Sequence, residues 1–129
     1  MPDETIPASD KGIADPGRIS EYHAHIYYDP VASRDRASAV RDHIGTNFPE
    51  VRLGRWHDQS VGPHTGAMYQ VAFPPDLLSR ILPWLMLNRR GLSVLLHPST
   101  GDDYADHTDH AAWLGEPLPL KLEVLRRSP

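Results

Sequence analysis

The run Tyr22-His23-Ala24-His25-Ile26-Tyr27-Tyr28-Asp29 constrains this chain more than any other stretch. Read as a β-strand, it sends successive side chains to opposite faces, so His23, His25 and Tyr27 share one face and Tyr22, Ala24, Ile26 and Tyr28 the other. The apolar face asks for a core. Two imidazoles at i and i+2 on a stiff strand can aim at one point, which is what a metal ion or a proton-transfer site requires. An exposed alternating strand that happens to carry histidines is the competing reading, and periodicity alone does not separate the two.

The remaining elements follow from spacing and breakers. Residues 1–19, rich in Pro, Gly, Asp and Ser, read as a poorly ordered tail, and a first strand runs from about Ile19 to Tyr28. Between Ser33 and Asn47, Ala37, Val40, Ile44 and then Phe48 recur at spacings of three and four, the mark of an amphipathic helix. Val51–His57 reads as a second strand, 58–66 as a breaker-rich loop, and Ala67–Phe73 as a third strand. A second helix is expected from Asp76 to Arg90, with Asp76 as N-cap, Pro83 as a kink and Gly91 as C-terminal cap. A fourth strand, Leu92–His97, should stop at Pro98. After a long Asp/His-rich connection, Leu120–Leu125 alternates like a last strand.

This β-α-β-β-α-β order is that of an α+β, ferredoxin-like sandwich, an antiparallel sheet in strand order 4-1-3-2 with helices on one face only. One domain, 20–129, with a C-terminal extension is expected. Tyr22, Ala24, Ile26, Tyr69, Val71, Phe73, Val94 and Leu96 would face the helices, leaving His23, His25, Met68, Gln70, Leu95 and His97 on the open face. Strand four pairs with strand one, which brings His97 near His23; the Gly62-Pro63-His64 loop should reach the far end of strand one, near His25 and Tyr27. A site centred on His25 could draw on either His97 or His64. Exposed Met68 and Leu95 would favour a face-to-face homodimer.

Composition narrows the chemistry. A net charge of −4 from 13 basic and 17 acidic residues, without a basic run, argues against a nucleic-acid partner. The absence of cysteine excludes disulfides, thiolate metal sites and a cysteine nucleophile, so a metal would be held by His, Asp, Glu or water. No segment approaches the roughly 18 apolar residues of a membrane span, and residues 1–18 lack a signal-peptide core, so a cytoplasmic protein is expected.

Four separated blocks in order carry a family resemblance: His-Ala-His-Ile-Tyr-Tyr-Asp (23–29), Gly-Pro-His (62–64), the stretch 87–98 from Leu-Asn-Arg-Arg-Gly to Leu-His-Pro, and Asp-His (106–107) with Trp-Leu-Gly-Glu-Pro-Leu-Pro-Leu (113–120). Together they resemble the DOPA 4,5-dioxygenase family, the small fungal and bacterial type that opens catechol rings. The resemblance implies a ferredoxin-like fold and extradiol cleavage of a catechol by O2 at a non-haem metal, normally Fe(II), for which Zn can substitute in a purified sample. It implies His25 as a ligand and His23, His64 and His97 as the motif histidines from which the others come.

Extradiol chemistry needs a metal with adjacent open positions, commonly held by two His and one carboxylate. Here either a third histidine replaces the carboxylate or Asp29, Asp102 or Glu116 reaches in. The working assignment is His23, His25 and His97 on the metal, His64 as the proton carrier, and Tyr27, Arg90, His107 and Trp113 against the substrate. His107 and His110 would share a helix face if 105–113 is helical; otherwise that segment is a solvated rim. The rival readings are a metal-independent binding protein for aromatic metabolites, of dimeric α+β-barrel type, and a zinc hydrolase.

Overall fold

The computed structural model describes residues 12–125. In chain order the elements are β1 (Glu21–Tyr28), α1 (Arg34–Asn47), β2 (Arg52–Leu53), β3 (Ala67–Phe73), α2 (Leu78–Asn88), β4 (Val94–Ser99), α3 (Asp103–His107) and β5 (Ala112–Leu114). The sheet is antiparallel in the order β2-β3-β1-β4-β5, which is the ferredoxin-like 4-1-3-2 order with one strand added beside β4. Residues 1–11 of the expected tail lie outside the described residues. Within 12–19 there is a 3-10 turn, Pro16–Arg18, capped by the Asp15 carboxylate on Gly17 N–H.

The alternation in β1 and β3 sorts side chains as the sequence predicts. Ala24, Ile26, Tyr28, Tyr69, Val71, Phe73, Val94 and Leu96 form one core with Ala37, Val40 and Ile44 of α1 and Ile81 and Leu85 of α2. Tyr27, Met68 and Leu95 point the other way and are covered by Ala111, Trp113, Leu118 and Leu120. Residues 111–120 thus roof the helix-free face, strapped down by Ser93 Oγ on the Glu116 carbonyl, Thr65 Oγ1 on the Pro119 carbonyl and Lys121 N–H on the Pro63 carbonyl. Met68 and Leu95 are therefore buried within one chain, which removes the exposed apolar patch that argued for a face-to-face dimer.

Several boundaries differ from the sequence reading, each for a local reason. β2 is two residues long instead of spanning 51–57: Leu53 pairs with Val71 and His57 with Met68, four steps along one strand against three along the other. The extra residue is a bulge that breaks the ladder. Asp76 does not cap α2; the chain enters through a 3-10 turn, Pro75–Leu77, because Pro75 takes the first position and has no N–H to satisfy. Pro83 sits inside α2, which continues past it on its exposed side. Gly91, at φ 79°, takes the left-handed conformation after the helix, and Arg90 precedes it at φ 55°.

β4 runs through Pro98 instead of stopping there. Tyr27 N–H bonds the Ser93 carbonyl, so in this register the backbone N of Pro98, opposite Tyr22, faces away from β1 on the side where β5 has already ended at Leu96. The fifth strand is Ala112–Leu114, in the stretch read as a connection, while the expected strand 120–125 is a 3-10 turn over Leu122–Leu125. β5 already occupies the outer edge of β4. The stretch 105–113, weighed as a helix or a solvated rim, is helical only at its start, in a short helix over Asp103–His107. Among the described residues no helix is long and apolar enough to cross a membrane.

Ile26 is fully buried on the helix side of β1, whereas Val31 is almost fully exposed. Ile26→Ala should cost about 2–5 kcal/mol and Val31→Ala no more than about 0.5 kcal/mol, read from urea denaturation midpoints at unchanged m-value.

Candidate active site

β1 lays Glu21, His23, His25 and Tyr27 along the roofed face, and the β1–β4 register sets His97 directly opposite His23. His25 Nε2 lies 3.0 Å from His97 Nε2, with both rings almost completely buried at 3% and 4% exposure. His97 Nδ1 lies 3.0 Å from the Pro98 carbonyl, an acceptor only. Nδ1 must then carry the proton, and the Nε2 lone pair is turned towards His25. His64, 4% exposed, comes from the loop after β2, held by its N–H on the Val61 carbonyl and a bridge to Leu120. Its Nδ1 lies 2.6 Å from the Tyr27 hydroxyl.

α3 contributes His107, whose Nδ1 donates to the Asp103 carbonyl at 2.7 Å and so leaves a lone pair on Nε2. Its ring stands 4.1 Å from that of His97 and 6.2 Å from those of His25 and His64. Five imidazoles thus meet over one patch of sheet. Two sets of nitrogens, His23/His25/His97 and His25/His64/His107, have members all within 4.8 Å of one another, and His25 belongs to both.

The donor set fits a metal ion. Imidazole nitrogens bind such ions at about 2.0–2.1 Å, which puts neighbouring ligand atoms about 2.9–3.4 Å apart; the His25–His97 separation is 3.0 Å. His25 Nδ1 is buried and without a hydrogen-bond partner. Burial pushes the His25 pKa well below its ordinary value, and the surrounding imidazoles push it further. His64 is lowered to about 4 by burial and then by His107 and His57, and His97 to about 4 by burial against the opposing pull of the Pro98 carbonyl. These three rings are neutral at pH 7, and those of His25 and His97 have lone pairs available for a cation. Burial raises the Tyr27 pKa, so the phenol keeps its proton and donates it to His64 Nδ1.

The candidate carboxylates do not enter either set. Asp29 accepts the N–H groups of Val31 and Ala32 in the turn after β1, and Asp102 caps α3 on Ala105 N–H. Two other acids border the cluster, and the sequence reading passed over both. Glu21 Oε2 lies 2.6 Å from His23 Nε2 while Arg52 holds the same carboxylate through two nitrogens; the Arg52 and then the His23 hydrogen bonds lower its pKa to about 2. The signal for Glu21 was available, because it lies two residues before His23 on the same strand face. Asp106, 1% exposed, accepts from Thr100 N–H, Thr100 Oγ1 and His110 Nδ1. Burial raises its pKa, but those hydrogen bonds outweigh it and hold the group below its usual value. Asp106 stood in the Asp-His block (106–107) of the family resemblance, but nothing there gave it a role distinct from the neighbouring aspartates.

Of the expected residues, His23, His25, His64, His97, His107 and Tyr27 come together, and Trp113 stacks on Tyr27 at 5.7 Å. Arg90 does not join them. It lines a cleft in the helix layer with Val40, His43 and Trp84, and its carbonyl accepts from Arg36. His110 is turned onto Asp106, away from the cluster.

A family-level comparison matches residues 22–124 to the Dopa 4,5-dioxygenase family. An uncharacterized 21.2 kDa protein of Botryotinia fuckeliana is 36% identical over 124 residues, covering 88% of this chain and 67% of that protein. The DOPA 4,5-dioxygenase of Amanita muscaria is 31% identical over 128 residues; the match covers 94% of this chain but 56% of the fungal enzyme, so the chain spans little more than half its length. Among solved structures, a putative dioxygenase from Nostoc punctiforme superposes with a TM-score of 0.85 at 50% identity, covering 88% of this chain and 96% of that one.

Because unfolded imidazoles titrate near 6.5, the unfolded chain takes up protons below that pH which His64 and His97 refuse until about pH 4. More protons on the unfolded state means stability that falls as pH falls. The metal-free protein should be steady above pH 7 and lose stability progressively from about pH 6.5 to 4. His64→Asn and His97→Asn should each flatten that slope in urea midpoints measured across this range; an unchanged slope in both would contradict the neutral-ring assignment.

Proposed function

Because the chain belongs to the Dopa 4,5-dioxygenase family, we propose that it is a metal-dependent dioxygenase that opens a catechol-type ring by extradiol cleavage with O2. The observation that carries this reading is the 3.0 Å approach of His25 Nε2 and His97 Nε2 inside a buried, all-imidazole cluster. Non-haem Fe(II) would be held by His25 and His97, with His23, from the same strand as His25, completing the set. Glu21, bonded to His23, orients that ring from one shell out.

A metal ion bound here supplies adjacent coordination positions at which the two catechol oxygens and dioxygen are brought together. The protein's side chains supply the rest. Tyr27 donates to His64 Nδ1, so the neutral ring carries its own proton on Nε2. A catechol hydroxyl proton reaches the Nδ1 lone pair by way of the Tyr27 hydroxyl, which passes its proton to His64, takes the substrate's, and returns it by the same route. The Tyr27–Trp113 stack gives the aromatic substrate a flat apolar wall. Leu118 and Leu120, packed on Tyr27, Met68 and Leu95, keep water from that side of the site. His107 closes the opposite side, its Nε2 lone pair free to accept from a substrate hydroxyl.

The direct test loads the protein with Fe(II), admits air and supplies a panel of catechols, following oxygen uptake and the absorbance of a yellow ring-opened product. Turnover that is lost on chelation and restored by Fe(II) but not by Zn(II) is expected; a protein that consumes no oxygen with any catechol overturns the reading. His25→Ala should lose both bound iron and turnover. His64→Gln should keep its iron while kcat falls by about 10²–10⁴, the usual contribution of a positioned proton carrier.

A further inference from the structure

α3 is five residues long, too short to be stable alone, yet it carries a histidine that must stand within a few ångströms of three others. Its N-cap, Asp102 on Ala105 N–H, is internal to the turn. The link from helix to sheet is the carboxylate of Asp106, the residue before His107. Asp106 Oδ2 accepts Thr100 N–H at 2.9 Å, and Oδ1 accepts Thr100 Oγ1 at 2.7 Å and His110 Nδ1 at 3.0 Å. Thr100 directly follows β4, the strand that carries His97. One buried carboxylate therefore ties the helix bearing His107 to the strand end bearing His97, across the turn at Gly101.

We propose that Asp106 is the positioning residue of the histidine cluster: its carboxylate locks α3 to the end of β4 so that His107 stands over His97, and it supplies beside the all-imidazole ligand set the negative charge that set lacks. Two features separate this from ordinary packing. A carboxylate accepts from the Thr100 N–H, the Thr100 hydroxyl and His110 Nδ1 at once; an asparagine would keep the first, but its N–H2 would face the other two and force the Thr100 hydroxyl and the His110 tautomer to turn from donor to acceptor. Among the described residues Asp106 is also the one fully buried acid. Three neutral imidazoles would leave a divalent ion with its whole charge, and the Asp106 carboxylate, close enough to act on His97 through space, would offset part of it in a medium that screens poorly.

This inference rests on the cluster being the metal and substrate site, and its test is read partly without metal. In the metal-free protein, ring 15N–1H spectra of the wild type should show Nδ1-protonated His97 and His107, each slowed in exchange by its carbonyl partner. Asp106→Asn should erase the His107 signature and leave that of His97, and Thr100→Val, which removes a single donor, should weaken it. By competition with a chelating dye, Zn(II) affinity should fall about 10–100-fold in Asp106→Asn, with Thr100→Val between it and the wild type. In a double-mutant cycle the losses from Asp106→Asn and His107→Ala should be less than additive. An Asp106→Asn protein that melts lower but keeps both the His107 signature and wild-type affinity overturns the proposal, because it assigns the carboxylate to stability alone. If Asp106→Asn does not fold, Thr100→Val decides: wild-type spectra and affinity in that variant overturn the lock. A wild type that binds no Zn(II) refutes the metal site itself, while the spectra still judge whether Asp106 places His107.

Discussion

The register of β1 against β4 is the constraint on which the rest depends. It puts His23 opposite His97 and leaves His25 Nε2 3.0 Å from His97 Nε2. Slipping the pair by one residue would turn every β4 side chain to the other face, carrying His97 under the helices and Leu96 into the histidine patch. Burial prevents the slip, since Val94 and Leu96 pack in the same core as Ala24 and Ile26. The hydrophobic pattern that stabilises the sheet is thus also what aligns the imidazoles, and folding and site geometry are not separable in β1 and β4.

The roof formed by 111–120 does a second job of the same kind. A ferredoxin-like sheet with one bare face would leave His25 and His97 in water, where imidazoles titrate near 6.5 and spend part of their time protonated. Trp113, Leu118 and Leu120 cover Tyr27, Met68 and Leu95, and the enclosed rings are pushed towards the neutral form. The cost is stability at low pH and a buried His25 nitrogen without a partner. A bound cation, which the proposed function calls for, would offset both by taking the lone pairs.

Much of this was legible in the sequence because it followed from period two. The alternation in 22–28 and 67–73 gave both faces of the sheet, the element order gave its topology, and topology gave the neighbours of His23 and His25. The open choice between His97 and His64 arose because a strand has two ends and two neighbours; in the structure His25 contacts both rings. What escaped was whatever depends on depth and edges instead of period. Ala112–Leu114 is too short to show a pattern, and Leu120–Leu125 shows one without finding a free edge beside β4. Arg90 failed for a different reason: a family block placed it near the histidine of 87–98 in sequence, but the turn at Arg90 and Gly91 separates the helix layer from the sheet. Asp106 looked like one solvated acid among several, and only its three donors distinguish it.

The absence of a carboxylate from both nitrogen sets has an electrostatic consequence for the proposed chemistry. Two imidazoles and one carboxylate would leave a bound divalent ion with a net charge of one, whereas three imidazoles leave it with two. A catechol that has given up a proton to His64 is an anion, and its attraction to the centre scales with that remaining charge. The acids are present but held back: Glu21 is committed to His23 and Arg52, and Asp106 to Thr100 and His110. Glu21 steadies the His23 ring directly, whereas Asp106 acts through Thr100 and the short helix, and neither enters the nitrogen sets. In the proposed reaction this arrangement would keep the inner positions for substrate oxygens and O2, and would make removal of the first catechol proton, by a neutral and buried His64, the step that commits the substrate to the site.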